Sequence, residues 1–423
     1  MRIPPLTLYG PIVLPISPHA HHKTPRWLLA LLLAALATLG PFAVDTYLPA
    51  FGAMGADLHA TPLQIQQTLS TYLAAFAFMF LFHGALSDSY GRKPVILGGL
   101  VVFALASVGC ALSQTIGQLI FFRALQGLSV GAGMVVGRAM IRDLFNATEA
   151  QKIMSMVTLW FGLAPTVAPI IGGHLFVWFG WQSIFWFMAV LAALLVVMSQ
   201  FGFHETHPEN ARHPFRPRPL MHSYREVGSS LPFLLLALAL GLNFNAFFLY
   251  IVSAPVYLPE QLKLGPQQYA WLFIPSIGGI MTGAFISGRV AEAWKPFQTI
   301  RRAYYFMGLA ALANLALAWF YVPTLWGTTT VIFVYAAGSA MAMPSITLLV
   351  MDLFPTRRGM ASSLAGFVSG IVNAVVAGIL SPAVSYSPLW MAISMMLLML
   401  AGMANWFWYR RISKHASPHP GQG

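Results

Sequence analysis

The sequence predicts an all-α membrane protein with about twelve transmembrane helices arranged as two bundles of six. Three observations support this prediction. Of the 423 residues, 58% are hydrophobic and 8% are charged, whereas about 25% of the residues in an ordinary soluble domain are charged. Apolar runs of membrane length recur along the chain, and Lys and Arg collect at alternate connections between them. Because a single soluble core stops growing near roughly 250 to 300 residues, so many apolar residues must contact lipid.

Each predicted span is an apolar run of roughly 20 residues or more, the length of helix that crosses a bilayer core about 30 Å thick. The second span begins at Thr61-Pro62, and the fifth begins near Thr148 and Gln151, which form a candidate capping pair. The predicted spans cover residues 26–53, 62–87, 94–113, 115–141, 149–177, 180–202, 230–257, 266–291, 299–321, 325–351, 357–381 and 387–410.

The hydrophilic segments divide the chain into halves. Residues 203–229 are the longest hydrophilic connection, and six predicted spans lie on each side of it. We therefore expect an N-terminal bundle at 26–202, a cytoplasmic linker at 203–229 and a C-terminal bundle at 230–410. Residues 1–25 are predicted to be a disordered cytoplasmic tail, because they are rich in proline and contain no run of membrane length. Residues 411–423 are predicted to be a second cytoplasmic tail.

A short repeat relates the two halves. Asp143-Leu144-Phe145 follows the fourth predicted span, and Asp352-Leu353-Phe354, 209 positions later, follows the tenth. Six spans separate the two copies, so both have the same orientation in the membrane. Parallel repeats of six helices related by a pseudo-two-fold axis along the membrane normal form one recurring transporter architecture, with the substrate at the interface between the repeats.

The distribution of cations predicts the orientation, because cytoplasmic loops carry the excess of Lys and Arg. The loops on one predicted side contain a single cation, Lys263. The other side contains Arg92, Lys93, Arg138, Arg142, Lys152, Arg212, Arg216, Arg218, Arg225, Arg289, Lys295, Arg301, Arg302, Arg357, Arg358, Arg410, Arg411 and Lys414. Both termini are therefore predicted to be cytoplasmic, and the net charge of +12 reflects topology rather than binding to nucleic acid.

Two ionisable residues lie deep within predicted spans. Asp45 in the first span and Arg123 in the fourth are each about eight residues, or about 12 Å, from the outer end. A charge at membrane depth costs at least about 2.5 to 3.5 kcal/mol, so such residues usually face a cavity and mark an ion or substrate path. We favour a functional role for this pair, and the alternative is a structural ion pair that joins two helices.

Other residues offer weaker signals. The single cysteine, Cys110, excludes an internal disulfide and a cysteine-based metal site. The histidines at positions 19, 21 and 22 could bind a metal, but histidines in a tail without ordered neighbours are more often incidental, so no metal site is predicted.

Residues 84–93 join the second and third spans and form either a latch between helix ends or a solvated turn.

Candidate substrate contacts come from polar and aromatic residues of the first and seventh spans. Asparagine is costly in lipid and therefore tends to face the protein interior, although hydrogen bonding between helices explains it equally well. The aromatic residues can instead pack or face lipid. The candidates are Tyr47, Asn243, Asn245, Phe247, Phe248 and Tyr250.

A family resemblance sharpens these signals. Residues 84–93 resemble the signature between the second and third helices of the major facilitator superfamily, and residues 123–127 resemble its fourth-helix motif. Gly162 together with residues 169–173 resembles the fifth-helix motif typical of proton-driven exporters. Asp45-Thr46-Tyr47-Leu48-Pro49-Ala50 and the sequence at 138–143 are similar to the Bcr/CflA branch of drug:proton antiporters.

The resemblance implies roles for these residues. Asp45 would be the protonatable group and Arg123 its partner in proton coupling. In the latch, which also includes Gly84 and Gly91, Asp88 would cap the eleventh helix and Arg92 would pair with Asp143 in the outward-facing state.

In the fifth-helix motif, Pro165 and Pro169 are predicted to interrupt the hydrogen-bond ladder, because proline has no N–H. The chain departs from the family at Ala168, where glycine is usual. The residues of the motif are Gly162, Pro165, Pro169, Gly172 and Gly173.

We therefore expect a proton-coupled exporter of small amphipathic, drug-like molecules that works as a monomer in the bacterial inner membrane. Its driving force is the proton gradient, and no cofactor is expected. One alternative is a metabolite exporter or importer with the same fold. An intramembrane enzyme is the alternative from another class, but His83 and His174 are the only histidines near the spans and have no carboxylate or cysteine close in sequence.

Overall fold

The computed structural model describes residues 25–415 except 213, 321 and 322, and all regular secondary structure in this part of the chain is helical. Residues 1–24 and 416–423, which include the predicted tail histidines and most of the C-terminal tail, lie outside the described residues. Eleven helices are long and apolar enough to cross a membrane, and a bent pair of helices supplies a twelfth span. The fold is thus that of a multi-pass membrane protein with two six-helix bundles, as predicted.

The twelve spans follow the predicted order. They comprise Arg26–Asp45 with Phe51–Asp57, Pro62–Phe80 with His83–Tyr90, Arg92–Ala111, Ile116–Leu144, Ala147–Phe179, Gln182–Gly202, Leu231–Val252 with Ala254–Gln261, Ala270–Val290, Pro296–Phe320, Leu325–Asp352, Arg358–Val375 with Ser381–Val384, and Pro388–His415.

The starts of the second and fifth spans test the capping predictions. Thr61 caps the second span, since its side chain accepts a hydrogen bond from the backbone N–H of Gln64 and the Gln64 side chain accepts one from Thr61 N–H. The prediction for the fifth span was wrong. Asn146 caps that helix instead, because its Oδ1 accepts a hydrogen bond from Glu149 N–H at 3.0 Å, and Thr148 already lies inside the first turn.

Four spans predicted as continuous helices are interrupted. The second bends by 49° after Phe80, and the seventh breaks at Ser253. In the first span, a short 3₁₀ turn, Leu48–Ala50, follows Asp45 and contains Pro49. In the eleventh, a π-helical turn, Val376–Leu380, precedes Ser381-Pro382; a proline has no N–H to continue the α-helical ladder, and π turns accommodate such defects.

The two halves meet through the second and eleventh spans and through the fifth and eighth spans. We call the end of the molecule with Arg92 and Arg357 the basic face, and the other end the opposite face. Near the opposite face, Gln66 Nε2 donates to Val252 O at 3.1 Å. Ser70 Oγ donates to Ala374 O at 2.8 Å. These hydrogen bonds join the N-terminal half to the C-terminal half, so the opposite face is closed.

The connection between the halves contains a helix that the sequence did not predict. This linker helix, Pro217–Gly228, is amphipathic and lies at the basic face. The Tyr224 hydroxyl donates to Leu81 O at 2.9 Å, at the bend of the second span. Arg357, which lies just before the eleventh span, donates from Nη1 to Glu226 Oε2 at 2.5 Å. This contact lowers the pKa of the Glu226 carboxyl. The linker helix therefore joins one span from each half.

Candidate functional site

Asp45 occupies a break in the first span. It is the last residue of the first helix, and only 4% of its surface is exposed. Its Oδ1 is buried and has no hydrogen-bond partner among the described residues. The fifth span packs directly against this break, since a Cβ on Gly172 would lie 1.7 Å from Thr46 O. Only glycine allows the two backbones to approach so closely.

Arg123 is fully buried between two tyrosine rings. Its Cζ lies 4.3 Å from the ring centre of Tyr47 and 4.3 Å from that of Tyr72. Its Nη1 donates to Ala43 O at 3.0 Å and to Gln126 Oε1 at 2.8 Å. Nε and Nη2 have no partner in the described part of the chain. The cation is therefore held by aromatic faces and neutral oxygens.

The residues after Arg123 explain why this motif places the guanidinium where it is. Gln126 Nε2 donates to Ser107 Oγ at 2.7 Å, which ties the fourth span to the third. A Cβ on Gly127 would lie 2.3 Å from Tyr72 O, so the fourth span can cross the second at this level only with glycine there. This crossing brings the Tyr72 ring over Arg123.

Asp45 and Arg123 do not form an ion pair, since none of their charged atoms are within 4.0 Å of each other. The predicted alternative of a structural ion pair is therefore wrong. The physical reason is that the guanidinium donates to Ala43 O, two residues before Asp45, and stacks on tyrosine rings. The carboxyl group remains without a counter-charge among the described residues.

An apolar groove of about 320 Å³ leads along the first span toward Asp45. Leu31, Thr38 and Phe42 line it on the first span, and Trp160 and other apolar residues line it on the fifth. Steps of three or four residues place these positions and Asp45 on one face of the helix. Leu31 and Trp160 are exposed, toward the basic face, while Asp45 is buried. The groove therefore runs from the basic face to within one turn of the carboxyl group.

The predicted substrate contacts lie elsewhere, in the interior of the two bundles. Tyr47 is buried beneath Arg123. Asn243 Nδ2 donates to Tyr304 OH at 2.9 Å, and Asn245 Nδ2 donates to Asn373 Oδ1 at 2.6 Å. These bonds match the alternative of hydrogen bonding between helices.

The three aromatic candidates of the seventh span are also buried. None of them lines the groove between the first and fifth spans. Their contact with substrate stays a prediction. They are Phe247, Phe248 and Tyr250.

The latch residues gather at the basic face. Arg92 Nε lies 3.2 Å from Asp143 Oδ2, and Arg92 Nη1 contacts Asp88. The expected pair with Asp143 is therefore present, although the opposite face is closed here rather than open. The expectation that Asp88 caps the eleventh helix is not met in this conformation, because the carboxylate is turned toward Arg92, four residues later. Gly91 has φ of +97°, which favours glycine, whereas Gly84 lies within a helix and has no close neighbour at its Cβ position.

The fifth-helix motif forms a close contact rather than a break. Pro165 and Pro169 lie within the helix Ala147–Phe179. Because proline has no N–H, they interrupt its hydrogen-bond ladder as predicted, but the helix continues through them. Gly172 and Gly173 are the residues of the motif in tight contact. A Cβ on Gly173 would lie 2.4 Å from Pro266 O of the C-terminal half.

Gly162 contrasts with this pair, since a Cβ there would meet no atom within 4 Å. The close approaches in the motif are therefore confined to its two consecutive glycines, at the level of the break beside Asp45.

Several residues of the site were missed by sequence reasoning. Tyr72 and Ser107 carry no charge and have no motif spacing that would single them out. Glu205 was assigned only to the hydrophilic linker, yet its carboxylate accepts hydrogen bonds from the backbone N–H of Arg92 at 2.9 Å and of Lys93 at 3.2 Å. It therefore neutralises the N-terminus of the third span, and its position in a polar linker gave no hint of that contact.

Known proteins resemble the chain in sequence and in fold. A sequence family described as the Major Facilitator Superfamily matches residues 28–377. The Bicyclomycin resistance protein homolog of Haemophilus influenzae is 29% identical over 84% of this chain and 89% of its own length. The Multidrug resistance protein MdtL of Escherichia coli is 31% identical over 78% of this chain and 83% of its own length.

Among solved structures, a bacterial homolog of the human lysosomal transporter Spinster, in an inward-facing and occupied conformation, covers 94% of this chain and 99% of its own. The TM-score is 0.72 and the sequence identity is 17%. The unoccupied inward-facing structure of that homolog gives a TM-score of 0.68. This similarity concerns the fold.

Proposed function

The chain belongs to the Major Facilitator Superfamily, and we propose that it exports small amphipathic, drug-like molecules in exchange for protons. The names of its relatives, a bicyclomycin resistance protein homolog and a multidrug resistance protein, support the class of substrate. The geometry around Asp45 supports the coupling to protons.

The observation that carries the proposal is the buried, unpaired carboxyl group of Asp45. A charged carboxylate without a counter-ion or a full set of hydrogen bonds is very costly in the interior of a protein. Arg123 does not supply the counter-ion, since tyrosine rings and neutral oxygens hold it. Asp45 therefore has to carry a proton while the site is closed to water. It can release that proton when the site opens, which is the behaviour that a proton carrier requires.

Alternating access couples the uptake and release of this proton to export of the substrate. With the opposite face closed, an amphipathic molecule enters the groove between the first and fifth spans and approaches Asp45, which gives its proton to the basic-face side. Rocking of the halves then opens the opposite face, where a new proton displaces the substrate. Because a single acid lies at the centre of the path, one proton is exchanged in each cycle.

We propose further that the basic face is cytoplasmic, because Lys and Arg are retained on that side of a membrane. Both termini then lie in the cytoplasm, and the protein resides in the inner membrane of a bacterium. The proton gradient is the driving force, the chain works as a monomer, and its activity is transport without catalysis of a reaction.

The test uses inverted membrane vesicles energised by a pH gradient, with uptake of a fluorescent amphipathic drug as the readout. Wild-type protein is expected to accumulate the drug, and Asp45→Asn is expected to abolish gradient-driven uptake while drug binding to the purified protein remains. Glu260→Gln is the matched control, since Glu260 is an exposed acid at the end of the seventh span. Uptake by Asp45→Asn at the wild-type level would refute the coupling role, and net flux out of inverted vesicles would identify an importer.

A further inference from the structure

A second cavity lies within the C-terminal half, apart from Asp45 and the groove. It has a volume of about 290 Å³ and lies between the seventh, ninth, tenth and twelfth spans. Thr324, in the connection that starts the tenth span, and Pro388, at the start of the twelfth, line its mouth at the opposite face. Ligand pockets usually measure about 300 to 1,000 Å³, so this cavity suits a small molecule.

The walls of the cavity combine aromatic rings with uncharged polar groups. The Tyr250 and Tyr257 rings meet edge to face, 5.5 Å apart. Asn314 Nδ2 donates to Tyr250 OH at 2.7 Å, and Tyr257 OH is hydrogen-bonded to Thr328 Oγ1 at 3.1 Å. No lining residue in the described part of the chain is charged. These walls match a neutral aromatic molecule.

One polar atom of the wall has no partner. Asn314 Nδ2 donates to Tyr250 OH and also lies 3.3 Å from Met395 Sδ. Asn314 Oδ1 accepts no hydrogen bond from the described residues. The residue is 94% buried, since its exposed fraction is 6%. This oxygen is not fully enclosed by the protein, so a molecule in the cavity can reach it. A ligand with an N–H or O–H group would satisfy it.

The two halves differ at the position of this cavity. Tyr257-Leu258-Pro259 at the break of the seventh span repeats Tyr47-Leu48-Pro49 at the break of the first, 210 positions earlier. In the N-terminal half, Arg123 covers the Tyr47 ring. In the C-terminal half, the corresponding Tyr257 faces the cavity instead.

The cavity also borders the contact that closes the opposite face. Tyr250 and Tyr257 flank the break at Ser253, whose Oγ lies 2.8 Å from Ser381 Oγ. The preceding carbonyl, Val252 O, accepts the hydrogen bond from Gln66 of the N-terminal half. An occupant that packs against both tyrosines would therefore hold this break in its present shape.

We propose that the cavity binds a small neutral aromatic molecule with a hydrogen-bond donor, taken up from the opposite face, and that the bound molecule keeps this face closed. The phenol and aryl amide classes have the required chemistry. Binding is independent of the proposed function, whereas the resulting inhibition of transport rests on it.

The experiment titrates 4-hydroxybenzamide, a neutral phenol and aryl amide, into the purified full-length protein in lipid nanodiscs by ligand-observed NMR. Saturable binding at one site is expected. Asn314→Leu removes the acceptor, and Ala318→Phe fills the cavity from a half-exposed position, so each should weaken binding at least about tenfold. Asn405→Leu is the matched control, because Asn405 is an exposed residue of the twelfth span with a bond only to Ala401 O.

Absence of saturable binding, equal affinity in all variants, or binding only after removal of lipid would overturn the proposal. In vesicles, 4-hydroxybenzamide applied to the opposite face should slow transport by the wild-type protein and not by Ala318→Phe. Binding without such inhibition would overturn the closing role. If the chain transports no drug at all, the NMR titration still decides the binding site, so the two proposals fail separately.

Discussion

The Tyr72 ring covers one face of the Arg123 guanidinium at 4.3 Å, and this contact holds a buried cation that has no carboxylate partner. Tyr72 is itself positioned by a hydrogen bond from its hydroxyl to Gly40 O at 3.1 Å, in the first span. The first, second and fourth spans therefore meet at one cation close to Asp45.

Two replacements of Tyr72 distinguish the contribution of its ring to transport from that of its hydroxyl. Tyr72→Leu removes a buried cation–π contact worth about 2 kcal/mol, so proton-driven drug uptake should fall at least about tenfold. Tyr72→Phe keeps the ring and should retain most of the uptake. The pH profile of uptake is the decisive measurement, because a tyrosine that only packs would leave the profile of Tyr72→Leu unchanged.

Gln126 should stabilise the protein through hydrogen bonds to the third and fourth spans. Gln126→Leu removes one acceptor of Arg123 Nη1 and the donor to Ser107 Oγ, and each lost hydrogen bond costs about 1 to 3 kcal/mol. Thermal unfolding of the purified protein should shift to lower temperature. Gln151→Leu, at an exposed position near the start of the fifth span, serves as the control, and an equal shift in both variants would contradict the assignment.

The fifth span offers a matched pair of glycines. Gly172→Ala places a methyl group against Thr46 O and must displace the break next to Asp45, whereas the same methyl group at Gly162 meets no atom within 4 Å. Overpacking typically costs about 1 to 3 kcal/mol. Drug uptake and thermal stability should drop for Gly172→Ala and stay near wild type for Gly162→Ala. Similar values for the two variants would show that the close approach is unimportant.

The contact between Glu226 and Arg357 should make attachment of the linker helix dependent on pH. Its hydrogen bond and charge lower the pKa of the Glu226 carboxyl in the folded protein. The contact therefore stabilises attachment above the usual glutamate pKa of about 4.3. It is lost as the pH falls through the lower folded value.

Hydrogen exchange of residues 217–228 measures this attachment. Glu226→Gln should raise exchange at neutral pH and remove its dependence on acid. Glu209→Gln, at a carboxylate whose side chain is 89% exposed, should leave it unchanged. Equal exchange in wild type and Glu226→Gln at neutral pH would show that the ion pair does not hold the helix.

Hydropathy and charge patterns were enough to predict the class of fold, the order of the twelve spans and the positions of the two deep ionisable residues. Each of these depends on the composition of a continuous segment, because a helix of about 20 apolar residues is enough to cross the bilayer. Because a charged residue within an apolar span is costly, it usually faces a cavity or an ion path, and this singled out Asp45 and Arg123. The breaks in the first and second spans escaped the same reasoning, since an apolar run continues through them.

Only the tertiary structure decided how the two charges are used. Arg123 turned out to be held by Tyr47, Tyr72 and Gln126 rather than by Asp45, and Gly172 packs on Thr46 across 126 positions of sequence. Such contacts depend on how closely two helix backbones cross. The physical reason that sequence alone could not supply them is that a stacking ring or a missing Cβ acts only on the neighbour that folding brings to it.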